Sequence, residues 1–135
     1  ADLKQKPIYF LAALKGTTYT TKRANEVIKF QDVIVNEGGA YNPTNGHFVV
    51  PRTGPYLISF GFLSNHAKGI GFHLDINGNL AVKSWTAKDV PYNSAERCIP
   101  YLLKKGDVVR IRVSEAGASI YGNRYTTFSA MYMKG

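Results

Sequence analysis

Residues 30–60 read FQDVIVNEGGAYNPTNGHFVVPRTGPYLISF. Short apolar runs are cut by Gly, Pro and Asn, which is how β-strands separated by turns look in sequence. Rings and small residues thread through them at fixed intervals: Phe30, five residues, Asn36, four, Tyr41, six, Phe48, five, Gly54, one, Tyr56, three, Phe60. The reason for those intervals decides the fold.

The same texture continues outward. Apolar or alternating runs cover Ile8–Leu14, Val27–Val35, His47–Val50, Tyr56–Leu63, Gly71–Ile76, Leu80–Trp85, Cys98–Leu103, Val108–Val113 and Thr126–Met133, and no window shows convincing helical periodicity. INGN (76–79) predicts a tight hairpin, since Asn-Gly suits a type I′ turn. KKGD (104–107) is expected to do the same between two later strands. Alternation points Phe72, Leu74 and Ile76 inward with His73 and Asp75 on an exposed polar face, and Val109, Ile111 and Val113 inward with Arg110 and Arg112 outward. CIPYLL is apolar on both faces, so its strand is expected to be covered twice, while Pro100 suggests an edge or bulge.

The totals bound the rest. At 135 residues, 44% of them apolar, the chain has the size and composition of one globular domain, residues 1–135. No apolar run nears the roughly 18 residues of a membrane span. The opening segment has a basic start and a short apolar patch, IYFLAAL, which is short for a signal peptide and reads equally as a strand. The chain is accordingly read as a mature or trimmed domain. Seventeen basic residues against nine acidic give a formal net charge of +8, a field that attracts anionic partners. Cys98 is the sole cysteine. It offers neither an internal disulfide nor zinc spacing, and such residues are mostly buried small hydrophobes.

The spacing from Phe30 to Phe60 resembles the signature of the C1q-like globular head domain. Ile58 departs from the usual aromatic, a change in core volume. YFLAAL (9–14) looks like the family's first strand, LLKKGDVVRIRV (102–113) like its L-x-x-G-D-x-V hairpin, and TTFSAMYM (126–133) like its closing strand, with Ala130 for the usual glycine. The resemblance implies an all-β, ten-stranded jelly-roll sandwich of two antiparallel sheets, shared with the tumour necrosis factor family, and a homotrimer packed by its inner sheets. Phe30, Tyr41, Phe48, Tyr56, Phe60, Phe62, Phe128 and Tyr132 are then core or trimer-contact aromatics, and alternation does not separate the two. Gly54 would allow a backbone turn that a side chain obstructs.

No catalytic constellation accompanies this pattern. The three histidines lie outside any nucleophile elbow, HExxH or phosphate-cradling motif, so the chain is expected not to be an enzyme. His73 and Asp75 share one strand face, about 7 Å apart. They read either as a metal pair or as cross-strand partners of Arg110 and Arg112, and the second reading is preferred. Calcium-binding relatives carry carboxylates in the loop that here spans residues 84–96. The expected acidic positions fall near Trp85, Thr86 and Asn93, with only Asp89 and Glu96 charged nearby, so no cofactor is expected. Nucleic-acid binding is not expected either, because the aromatics sit where the core wants them and the basic residues are dispersed.

The resemblance implies a secreted, extracellular binding module, similar to the head-only, lectin-like members found in invertebrate animals. The expected role is innate-immune pattern recognition of lipopolysaccharide, microbial glycans or other anionic surfaces, without membrane insertion. An extracellular matrix protein or a cytokine-like receptor ligand on the same scaffold is the alternative. Ligand contacts are expected at Arg110 and Arg112 with Lys104 and Lys105 at their hairpin. A second group, His66, Lys68, Lys83, Trp85 and Lys88, is expected in loops at the opposite end. Trp85 reads either as an exposed sugar platform or as a rim residue of the core.

Overall fold

A computed structural model describes residues 5–64, 69–86 and 92–134. Those residues form strands without a helix: β1 (Tyr9–Ala13), β2 (Thr18–Thr20), β3 (Glu26–Val27), β4 (Asp32–Glu37), β5 (Tyr41–Asn42), β6 (His47–Val49), β7 (Gly54–Ser64), β8 (Gly71–Ile76), β9 (Asn79–Trp85), β10 (Asn93–Leu103), β11 (Val108–Val113), β12 (Ser119–Tyr121) and β13 (Thr127–Tyr132). They make two antiparallel sheets, one ordered β2-β12-β7-β13-β1-β4 with β10 also on β7, the other β5-β6-β11-β8-β9 with β3 also on β11. The jelly-roll architecture implied by the resemblance is present. The strand number is thirteen among the described residues, not ten, and β2, β3, β5, β6 and β12 are ladders of only two or three residues.

The run Val27–Val35 is two elements, not one. β3 pairs with β11 in the six-stranded sheet, and β4 pairs with β1 in the seven-stranded sheet. Between them the chain crosses from one layer to the other and leaves Ile28 and Phe30 fully buried. A buried crossing must satisfy its backbone without a ladder. The Ile28 amide donates to the Ile111 carbonyl at 2.8 Å. The Tyr41 hydroxyl accepts from the Phe30 amide at 3.0 Å and donates to the Phe30 carbonyl at 2.8 Å. Asn36 holds Tyr41 in place, its side-chain amide donating to the Tyr41 carbonyl at 2.8 Å and its oxygen accepting the Tyr41 amide at 3.3 Å. The intervals Phe30–Asn36–Tyr41 are thus set by one crossing and the ring that secures it.

The core lies between the sheets. Phe10 stacks on Tyr41, with centroids 4.6 Å apart, and meets Phe128 edge-on at 4.9 Å. Phe30 packs on Phe128, Phe48 on Tyr56, and Phe60 and Phe62 on Phe72. Such pairs add about 0.5–1.5 kcal/mol each beyond the area they bury. Phe30, Tyr41, Phe48, Tyr56, Phe60, Phe62 and Phe128 all point between the layers, and Tyr132 is half-buried at the margin. Gly54 opens β7 at φ 153°, a backbone conformation that L side chains rarely adopt, and a Cβ there would also fall 2.7 Å from Cε1 of Tyr132, so backbone and ring both exclude a side chain.

Three expectations are corrected. CIPYLL is not covered twice: Cys98, Pro100 and Leu102, on one face of β10, are exposed, and with β13 and β12 on β7's other side β10 is also an edge strand. Cys98 is exposed, as is Leu102 at 72%, and Pro100 sits on that edge, where its missing donor is harmless. KKGD is not a hairpin, because β10 and β11 belong to different sheets; it turns the chain between layers, with the Lys104 amide donating to Asp107 Oδ2 at 2.8 Å. INGN does close the β8–β9 hairpin, with Asn77 at φ 55° and Gly78 at φ 89°.

Tyr41→Phe keeps the ring and strands two buried backbone groups of Phe30. It should cost about 2–6 kcal/mol, from about 1–3 per orphaned group, read as a lower urea midpoint at unchanged m-value. A midpoint like the wild type's would show that the hydroxyl contributes nothing.

Candidate functional site

The outward face of the six-stranded sheet carries the charged side chains. Register sets Arg110 beside Asp75 and Arg112 beside His73 across β11 and β8, and His73 beside Lys83 across β8 and β9. Alternation places these groups as expected but does not give their burial. Asp75 is fully buried and His73 is 6% exposed, so the exposed polar face expected here is corrected. The two arginine side chains fold down over Asp75 and keep it from water.

Asp75 is the hub. Its Oδ2 accepts from Arg112 Nε, its Oδ1 lies 3.5 Å from Arg110 Nε, and Oδ1 also accepts the Gly78 amide at 2.8 Å. Arg112 Nη1 donates to the Asn25 carbonyl at 2.7 Å. Arg110 Nη1 lies 3.3 Å from His47 Nε2. The arginine side chains keep only 21% and 24% of their surface. Much of their charge is therefore spent on a buried carboxylate, which a buried ion needs. Burial pushes His47 and His73 below the ordinary histidine value, with Arg110 adding to the effect at His47 and Lys83 at His73. Neutral imidazoles suit a face already crowded with cations.

Lys83 and Trp85 lie on β9, not in loops. Trp85 is 59% exposed, so it is not a rim residue of the core. Its indole stacks near His73, with centroids 6.4 Å apart and planes at 26°. A Cβ at Gly71 would fall 2.6 Å from Trp85 Cζ3 and 2.5 Å from His73 Nε2, so a bare backbone is what lets the indole lie flat over the strand. Lys104 and Lys105 are exposed at the turn before β11. His66, Lys68 and Lys88 lie outside the described residues. The structure thus separates Lys104 and Lys105, at one end of β11, from Lys83 and Trp85 on β9, and joins Arg110 to Arg112 through Asp75.

A cationic grouping that sequence reading missed lies elsewhere. Lys15, Lys22, Arg23 and Lys29 line one cleft with Arg112. They come from separate segments around β1, β2 and β3, and the Lys22-Arg23 pair was the only local sign of them.

The C1q domain family model matches residues 9–133. The chain belongs to the C1q domain family. It is 31% identical over 114 residues to the mouse and the human "Complement C1q tumor necrosis factor-related protein 2", covering 82% of this chain. The chain spans 38–39% of the length of those curated relatives. Among solved structures it is similar to the globular domain of zebrafish complement 1qA, with a TM-score of 0.76 at 14% identity, covering 94% of this chain and 98% of that one. Murine APRIL superposes with a TM-score of 0.75 at 15% identity, covering 96% of this chain and 100% of that one. These structural likenesses speak to the fold.

Of the two acidic residues expected near the calcium loop of residues 84–96, Asp89 lies outside the described residues and Glu96 is exposed on β10. Among the described residues no three His, Cys, Asp or Glu side chains converge, short of the six to eight oxygens calcium takes.

Removing one partner of a buried ion pair leaves an uncompensated charge, which typically costs about 3–5 kcal/mol. Arg112→Ala should lose stability on that scale in urea denaturation. Arg110→Ala, at the longer distance, should lose less. Small, equal losses would show that the Gly78 amide alone suffices to hold Asp75.

Proposed function

We propose that this C1q domain is a secreted, trimeric binding module that recognises anionic, glycan-bearing microbial surfaces, and that it acts by display rather than by catalysis. One observation carries the trimer: the outward face of the seven-stranded sheet exposes an apolar cluster where a lone subunit would meet water, with Glu37 and Glu96 at its borders. Leu57 on β7 registers with Met131 on β13 and Pro100 on β10, and Tyr9 on β1 registers with Met131. Met131 is 46% exposed and Tyr9 38%. Small residues, Ser59 beside Ser129 and Gly61 beside Thr127, line the middle of this face, with the Glu96 side chain lying over Gly61. Burial of such a face gains roughly 25 cal/mol per Å2.

Packing by that sheet leaves the six-stranded sheets outward. Trp85 with Lys83, and Lys104 with Lys105, would then be presented three times on one particle, where weak single contacts gain by avidity. Arg110 and Arg112 contribute positive potential from fixed positions while remaining paired to Asp75. With +8 per chain, the particle would be drawn to phosphate- and carboxylate-rich surfaces.

Light scattering should give three times the 14.9 kDa chain mass, and Leu57→Lys with Met131→Lys should give single subunits. The trimer should be retained on lipopolysaccharide or whole bacteria, with Trp85→Ala and Lys104→Ala/Lys105→Ala each lowering retention several-fold. A wild-type monomer would refute the assembly. A trimer that ignores every bacterial and glycan surface would turn the reading towards a matrix or receptor-ligand role.

A further inference from the structure

Where the two sheets part beyond the end of β1, the chain encloses a cleft of about 740 Å3. That volume lies within the roughly 300–1,000 Å3 usual for small-ligand sites. Five cationic side chains line it: Lys15, Lys22, Arg23, Lys29 and Arg112. Glu26 is the only acidic residue of the lining, and its Oε1 is engaged by the backbone amides of Lys22 at 2.8 Å and Arg23 at 3.3 Å. That contact shapes the turn carrying the two cations. Arg112 is held rigid between Asp75 and the Asn25 carbonyl, so one wall is fixed while the lysines are free to adjust. Leu14, Tyr19 and Val27 give the same cleft an apolar part.

Cations on several sides of a partly apolar cleft call for a ligand that spreads several anions over a ring framework. A lone phosphate would engage one or two of the five. Sequence-tolerant nucleic-acid binding rests on successive stacking rings, and Tyr19 is the one aromatic in this lining.

We propose that this cleft binds an acidic saccharide, a short run of sugar rings bearing sulfate or carboxylate groups. Lys15, Lys22, Arg23 and Lys29 pair with the anions while Tyr19 and Val27, both partly exposed, meet a ring face. The inference rests on the anionic-surface reading and gives that reading a specific site, away from Trp85 and from the Lys104–Lys105 turn at the far end of β11.

Calorimetry on the wild-type chain tests it with four probes: a sulfated tetrasaccharide, a uronate tetrasaccharide, an uncharged tetrasaccharide and a short single-stranded DNA. At low ionic strength one or both acidic saccharides should bind and the uncharged one should not; which one binds identifies the anion. Binding should weaken towards about 1 M salt, where screening acts within about 3 Å. Lys22→Ala/Arg23→Ala, a change at exposed positions, should lower affinity about tenfold or more. Lys6→Ala/Lys134→Ala removes equal charge at the other end of β1 and should leave affinity within about twofold, since only distant, screened charge is lost. Equal losses in both double variants would overturn the cleft, since the overall field would then be the cause, and would leave the surface reading standing. Tighter binding of DNA than of either saccharide would overturn the ligand class. A wild-type chain that binds neither acidic saccharide would overturn the cleft and the anionic reading together, with the trimer still judged by light scattering.

Discussion

The structure depends on a single hydroxyl group. Where residues 28–31 leave one sheet for the other, the backbone has no strand partner, and the Tyr41 hydroxyl supplies both an acceptor and a donor to Phe30. Burial drives that phenol's pKa upward, with the backbone contact opposing it in part, so it stays protonated and able to donate. With the crossing secured, Phe30 reaches Phe128, Phe10 reaches Tyr41, and the two layers close on a common set of rings.

That closure divides labour across the molecule. Rings committed to the interior are not available to ligands, whereas Trp85 is exposed. The exposed cations lie at the turns, on the outer sheet and around the cleft beyond β1. The same division explains the two arginines of β11. They look like a free basic patch in sequence, yet Asp75 draws both onto the sheet, so they act first as partners of a buried acid and only then as part of the surface field.

The rings were legible because their spacing is a property of the family, and alternation correctly placed Val109, Ile111 and Val113 inside. Register was legible at INGN, where turn chemistry fixes it. The rest was not, for physical reasons. Alternation gives direction but not depth, so the burial of Asp75 under Arg110 and Arg112 was invisible. Sheet membership is non-local, so KKGD looked like a hairpin although it joins two layers, and Val27–Val35 looked like one strand although it changes sheet. The apolar stretch CIPYLL suggested cover on both faces, whereas one face of β10 is open. Lys15 and Lys29 are fourteen positions apart, and only the folded layers bring them to one cleft.

Hydrogen exchange at the Phe30 amide tests the central tie most directly. The residue lies outside every strand, so a loop amide would exchange quickly there. With the Tyr41 hydroxyl closed on it, exchange should wait for global unfolding and show the same protection as the core amides of β7. Exchange as fast as that of the turn at residues 43–45 would contradict the account, because the crossing would then be open and the rings could not be held by it.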